Sequence, residues 1–165
     1  MELSYRPILK EDWLTVAEIY KEGMDTGNAT FQQQVPSWDE WDQGHLKSCR
    51  ILAINNQKIA GWAALSPVSG RCVYAGVAEL SVYVSESFRG LKIGSRLLEK
   101  LISESEAEEI WTLQAGIFPE NISSLKIHHQ FGFRTIGYRE KIGKMNGVWR
   151  DVLLLERRSH LVGLE

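Results

Sequence analysis

One stretch of the chain combines charge, glycine and a helix start in a way that can hold an anion. It runs Glu79-Leu80-Ser81-Val82-Tyr83-Val84-Ser85-Glu86-Ser87-Phe88-Arg89-Gly90-Leu91-Lys92-Ile93-Gly94-Ser95. A strand-like run leads into a short glycine-containing loop, and the loop opens a helix whose first amides lack intrahelical partners. The helix dipole adds about half a positive charge at that end. Gly90 and Gly94 carry no side chain to keep a bulky diphosphate off the backbone, and Arg89 and Lys92 add two cations. The same residues also suit a plain tight turn with its cations in solvent, and spacing alone does not choose between the two.

Other chemistries lack their residues. There is no GxxxxGK[ST] loop and no GxGxxG following a strand, so ATP and NAD are not the leading cofactors. HExxH, CxxC and a GxSxG elbow are absent, which removes the support for a metallohydrolase or an α/β-hydrolase, and no metal ligand set is expected. Cys49 and Cys72 show neither a disulfide framework nor a zinc spacing and read as small apolar residues. A cysteine-dependent acyl transfer through either of them, with a histidine, is the remaining minor reading.

The elements that must position the loop follow from hydrophobic periodicity. Leu3 to Ile8 alternates as a first strand, and Asp12 precedes Trp13, Val16, Ala17 and Tyr20 on one helical face. Gly23 to Pro36 reads as a long loop or short broken helix. Ser37 with Glu40 forms a capping box for a helix from Trp38 to about Ser48. Ile51 to Ile54 and Ile59 to Leu65 flank a turn at Asn55-Asn56-Gln57, and another strand spans about Val77 to Val84. Ile93, Leu97, Leu98, Leu101 and Ile102 mark an amphipathic helix, and Trp111 to Ile117 a strand. Asn121 caps a helix to about Gln130. Two last strands meet at Asn146-Gly147 and end near Leu155. The order β-α-α-β-β-β-α-β-α-β-β predicts an α/β fold with a mixed sheet.

Size and charge bound the partners. The 165 residues fit one domain, expected over residues 1–160, with 161–165 set apart as a vector-derived tail. Apolar residues are 44% and charged residues 24%, as in ordinary globular proteins. A net charge of −2 lacks the basic excess of a nucleic-acid binder. The apolar runs are far shorter than the roughly 20 residues of a membrane span, and the amino terminus lacks a secretory layout. A cytoplasmic protein with no nucleic-acid or membrane partner is expected.

With these residues in view, the segment from Arg89 to Gly94 resembles the acyl-CoA loop of the GNAT-type N-acetyltransferases: Arg or Gln, two residues, Gly, one residue, Gly or Ala. Lys92 replaces the middle glycine. Downstream, Asn121-Ile122-Ser123-Ser124-Leu125-Lys126-Ile127-His128-His129-Gln130-Phe131-Gly132-Phe133 resembles the family's second motif. The element order over residues 3 to 156 matches as well, and the resemblance implies the family's mixed, mostly antiparallel sheet flanked by helices. Ala78-Glu79, His128 and Gly147-Val148-Trp149-Arg150-Asp151 are similar to the phosphinothricin and methionine sulfoximine branch.

That resemblance implies acetyl-CoA as co-substrate and a small amine as acceptor, joined by direct attack on the thioester. Its pantetheine arm would lie along Val82, Tyr83 and Val84 of a strand that splays from its neighbour. The diphosphate would sit on Arg89, Gly90, Leu91, Lys92, Ile93, Gly94 and Ser95, with Asn121 and Ser124 nearer the thioester; Asn121 is equally a helix cap. Glu79, partly buried, would serve as base through a water, and the Val82 amide would face the developing oxyanion. His128 would protonate the departing thiolate, with Tyr83 or Tyr138 as alternatives and a packed structural histidine as the competing reading. Arg71, Cys72, Val73 and Tyr74, together with Asn28 and Phe31 of the early loop, would wall the acceptor pocket, and the protein would be a homodimer. Rival acceptors are a protein amino terminus, a polyamine or an aminoglycoside; a non-catalytic CoA-binding module is the rival class.

Overall fold

The computed structural model describes residues 2–165. Seven strands form one sheet in the order β1-β2-β3-β4-β5-β7-β6. They are β1 (Ser4–Pro7), β2 (Ile51–Asn55), β3 (Lys58–Pro67), β4 (Val77–Val84), β5 (Thr112–Ile117), β6 (Arg134–Met145) and β7 (Val148–Arg158). The helices are α1 (Trp13–Asp25), α2 (Trp38–Gly44), α3 (Ile93–Ala107) and α4 (Ile122–Gln130). Every strand pair is antiparallel except β4 with β5. The predicted order of elements and the mixed sheet are both present.

Alternation along the strands divides the core into two layers. Ala63 and Leu65 of β3 point to one face, where they join Ile93, Leu97, Leu98 and Leu101 of α3. Trp62 and Ala64 point to the other, with Val16 and Ile19 of α1 and Trp41 of α2. Helices α1 and α2 therefore cover one face, and α3 and α4 the other.

Local signals account for most boundaries. The β2–β3 turn places Asn56 and Gln57 at φ +46° and +66°, and the β6–β7 turn places Asn146 and Gly147 at +50° and +78°. Such paired left-handed residues match the right-handed twist of a hairpin. The Ser37 and Glu40 capping box is formed, with Ser37 N donating to Glu40 Oε2 at 2.8 Å.

Helix α1 runs on to Asp25, so the loop expected from Gly23 starts only after it, and two further boundaries differ from expectation. Helix α2 stops at Gly44 rather than near Ser48, because Arg50 folds back and donates to the carbonyls of Asp42, His45 and Leu46. A side chain from outside the helix thus satisfies the Asp42 carbonyl of its last turn and the two carbonyls that follow its end. Strand β7 continues to Arg158, since Arg157 reaches Glu106 at 3.0 Å and Arg158 reaches the Trp111 carbonyl, which keeps these charged residues within the sheet.

Candidate active site

The parallel pairing of β4 and β5 lasts three rungs, Val77 with Thr112, Ala78 with Leu113 and Glu79 with Gln114. Beyond Glu79 the strands separate. Residues Leu80 to Val84 stay paired to β3 through Leu65 to Gly61, so their β5-facing backbone groups are left for solvent or a ligand. The expected splay is therefore present and begins directly after Glu79.

Residues opposite one another in a sheet share a face, which puts Ser66, Glu79, Gln114, Glu156 and Arg134 in one polar row across five strands. Arg134 pairs with Glu156 at 3.1 Å. Two residues further along, Ser81 of β4 and Gly116 of β5 flank the gap with little bulk. Tyr83 follows, stacked on Trp62 at 4.9 Å and edge-on to Tyr20 at 4.8 Å. Burial pushes the Tyr83 phenol well above its ordinary range, so it keeps its proton at neutral pH. Glu79 itself is exposed, which corrects the expectation of partial burial: it stands at the mouth of the gap, where solvent reaches it.

The loop after β4 ends at the start of α3. Gly90 has φ +76° and Lys92 φ +62°, both left-handed. Glycine accepts that geometry freely; at Lys92 it costs about 1–2 kcal/mol. The first closed turn of α3 is Arg96 N donating to Lys92 O at 3.2 Å, so the Ile93, Gly94 and Ser95 amides precede it and no carboxylate occupies the first turn. A Cβ on Gly94 would meet only ordinary contacts, Val84 at 3.6 Å and Ile127 at 3.9 Å. The fold does not need glycine there, which fits a residue kept small for a ligand. Arg89 and Lys92 are exposed beside these amides, with Arg89 at 4.0 Å from Glu86. Such a set of donors and cations suits a diphosphate.

Asn121 caps α4 through Oδ1, which accepts from Ser124 N at 3.3 Å, and its Nδ2 donates to the Asn28 carbonyl at 3.2 Å. His128 is 6% exposed and packs edge-on against Phe133. Its Nδ1 meets the Ser124 carbonyl at 2.7 Å, which assigns the proton to that nitrogen, and its buried Nε2 has no partner among the described residues. Burial lowers its pKa, so the ring is neutral at pH 7 with no proton on Nε2 to give. The packed environment opposes the expected role as thiolate acid. Tyr138 is exposed and donates to Asp151.

The expected acceptor residues fall into two groups. Arg71, Cys72, Val73 and Tyr74 form an exposed turn before β4, with the Arg71 guanidinium 5.6 Å from the Tyr74 ring. Among the described residues no hydrogen bond or ring contact joins them to Asn28 or Phe31. Asn28 and Phe31 do come together with the far half of the sheet: Asn28 Oδ1 accepts from Arg150 of β7, and Phe31 packs edge-on at 4.9 Å against Phe118, the residue after β5. The sequence assigns Arg150 no role of its own; only its place in the Gly147 to Asp151 run points to it. Cys49 is buried and its thiol is pushed up to about 11 by burial, which removes it as a nucleophile at neutral pH.

Comparisons with known proteins agree with this geometry. Residues 13–133 match the Acetyltransferase (GNAT) family. The chain is 30% identical to a phosphinothricin N-acetyltransferase of Streptomyces coelicolor, covering 94% of this chain and 96% of the relative. It is 24% identical to an L-methionine sulfoximine/L-methionine sulfone acetyltransferase of Salmonella typhimurium, covering 89% of each. The crystal structure of a phosphinothricin acetyltransferase from Sinorhizobium meliloti in complex with AcCoA superposes with a TM-score of 0.88 at 26% identity, covering 100% of this chain and 92% of that one. The chain belongs to the GNAT acetyltransferase family. It is an acetyl-CoA-dependent N-acetyltransferase.

Two outcomes follow for the site. Gly94→Asp should leave stability unchanged or raised by about 0.3–1 kcal/mol, since an acid suits a helix N-terminus, yet weaken acetyl-CoA binding at least thirtyfold in calorimetry. Binding within threefold of the parent would contradict the cradle. Folded His128 has a lowered pKa, so unfolding releases a group that protonates more readily. Stability should hold above the unfolded value of about 6.5 and decline as pH falls below it. His128→Gln should flatten that decline in urea titrations between pH 7 and 5; an unchanged slope would contradict the neutral assignment.

Proposed function

We propose that the protein transfers acetyl from acetyl-CoA to the primary amine of a small amino-acid-like substrate of the phosphinothricin, methionine sulfoximine or methionine sulfone class. The observation that carries this reading is the parting of β4 from β5 directly after Glu79, a few residues ahead of the anion-suited start of α3. The Streptomyces and Salmonella relatives favour this acceptor class over a protein amino terminus, a polyamine or an aminoglycoside.

Val82, Tyr83 and Val84 offer backbone groups to the pantetheine arm. Residues Arg89 to Ser95 hold the diphosphate with their amides and two cations, and Asn121 and Ser124 border the route at the α4 start. Acetyl-CoA, when bound, supplies the thioester carbonyl that the amine attacks. An α-amino group is mostly protonated at pH 7, so a base must take its proton. Glu79 does so through a water, which its exposed position admits. The Val82 amide donates to the carbonyl oxygen as that atom gains charge. In this reading the proton for the leaving sulfur comes from Tyr83, whose phenol is protonated at neutral pH and stands on the open half of β4, rather than from His128, and the phenolate then regains a proton from water.

The exposed Ile136, Tyr138, Ile142, Val148 and Trp149 of the β6–β7 hairpin support a homodimer, since that apolar surface favours burial against a second copy. No helix of the described residues is long and apolar enough to cross a membrane. Two free cysteines support a reducing cytoplasm.

Glu79→Gln should lower kcat on L-methionine sulfone or phosphinothricin by about 10²–10⁴-fold, the usual contribution of a general base. The dissociation constant for acetyl-CoA should stay within twofold. A kcat within threefold of the parent across pH 6 to 9 would remove Glu79 from the reaction.

A further inference from the structure

The segment between α1 and α2 lacks regular structure, yet one side chain fastens it. Arg150 Nη1 donates to the Gly27 carbonyl at 2.8 Å, and Nη2 donates to Asn28 Oδ1 at 2.9 Å. Its guanidinium carbon lies 4.1 Å from the Phe118 ring centroid, and Glu120 Oε2 sits 3.4 Å from Nη2. The side chain is 14% exposed. From the opposite side, Asn121 at the start of α4 donates to the Asn28 carbonyl at 3.2 Å. Phe31 completes the anchor: it packs edge-on against Phe118, and a Cβ on Gly143 would come within 2.8 Å of its ring.

Packing against Phe118 alone needs only an apolar stem. What arginine adds is a planar fork that reaches acceptors on two consecutive residues at once. Strand alternation puts Arg150 on the same face of β7 as Val152, Leu154 and Glu156, hence on the face that carries Glu79. The fork therefore holds Gly27 to Phe31 over the face where the base stands, while Asn121 binds the same loop to the helix that borders the cofactor route.

We propose that Arg150 is a positioning residue for the acceptor: it fixes the Gly27 to Phe31 loop as the wall of the amine pocket and joins that wall to the α4 start. This rests on the acetyl-transfer reading above. The charge of Arg150 serves the fork and does not touch the reacting atoms.

The test compares Arg150→Met, Arg150→Lys and Asn28→Ala with the parent enzyme, using L-methionine sulfone and phosphinothricin as acceptors. Arg150→Met should raise the KM for the amine at least tenfold, with kcat within about threefold and the acetyl-CoA dissociation constant within twofold. Hydrogen exchange should quicken at least tenfold across residues 27–31 and stay unchanged in α3. Arg150→Lys keeps the charge and loses the fork, so it should follow the methionine variant; full rescue by lysine would overturn the fork. Should Arg150→Met not fold, Asn28→Ala, which removes one acceptor only, should still raise the amine KM at least threefold. Normal turnover with an unchanged amine KM and unchanged loop exchange would sink this proposal alone. Failure of the parent to acetylate any amine would sink it together with the acetyl-transfer reading.

Discussion

The site depends on a competition between strand pairings. Strand β4 keeps seven antiparallel partners along β3, and β5 keeps six along β7, whereas the parallel contact between them ends after three. Each strand is held by its outer neighbour, so the gap between their carboxyl ends is built into the sheet. Unpaired strand groups are costly when dry, at about 1–3 kcal/mol each, and half-buried residues such as Val82 and Val84 leave them open to water or to an amide-rich ligand. An arm carrying its own amide groups can complete the ladder that β5 abandons.

The start of α3 adds the electrostatic half. Helix dipole, free amides and two exposed cations converge on one short loop, and the left-handed Lys92 is retained there despite its conformational cost. A glycine would relieve the strain, but it would also delete a charge next to the amides. Strain kept in place by the surrounding turn is a common mark of a binding loop. On the far side of the gap, Glu79 sits in a polar row and not in an apolar pocket. A water can therefore stand between this carboxylate and an amine, which suits proton removal at the rim better than direct contact in a dry cavity.

Much of the fold was legible because its signals are local. The capping box at Ser37, the turns at Asn56 and Asn146, the cap at Asn121 and the apolar stripe of α3 all lie within a few residues of what they specify. What sequence reading missed depends on contacts between distant segments. Arg50 ends α2 by folding back from the residue just before the next strand, and Arg150 reaches across more than a hundred positions to Gly27. Exposure of Glu79 and burial of His128 also escape periodicity. Glu79 occupies an outward position whose neighbours withdraw, while His128 lies on the inner side of a short helix whose faces are weakly marked. The second motif located His128, but its chemistry is set by Ser124 and Phe133, which deprive it of an available proton.

The most direct measurement is a crystal structure of the protein with acetyl-CoA. The expected result has the pantetheine arm between β4 and β5 along Val82 to Val84, the diphosphate on the amides of residues 90–95, and the thioester beside Glu79. A cofactor seated elsewhere, or β4 and β5 closed along Leu80 to Val84 with the ligand outside, would contradict it.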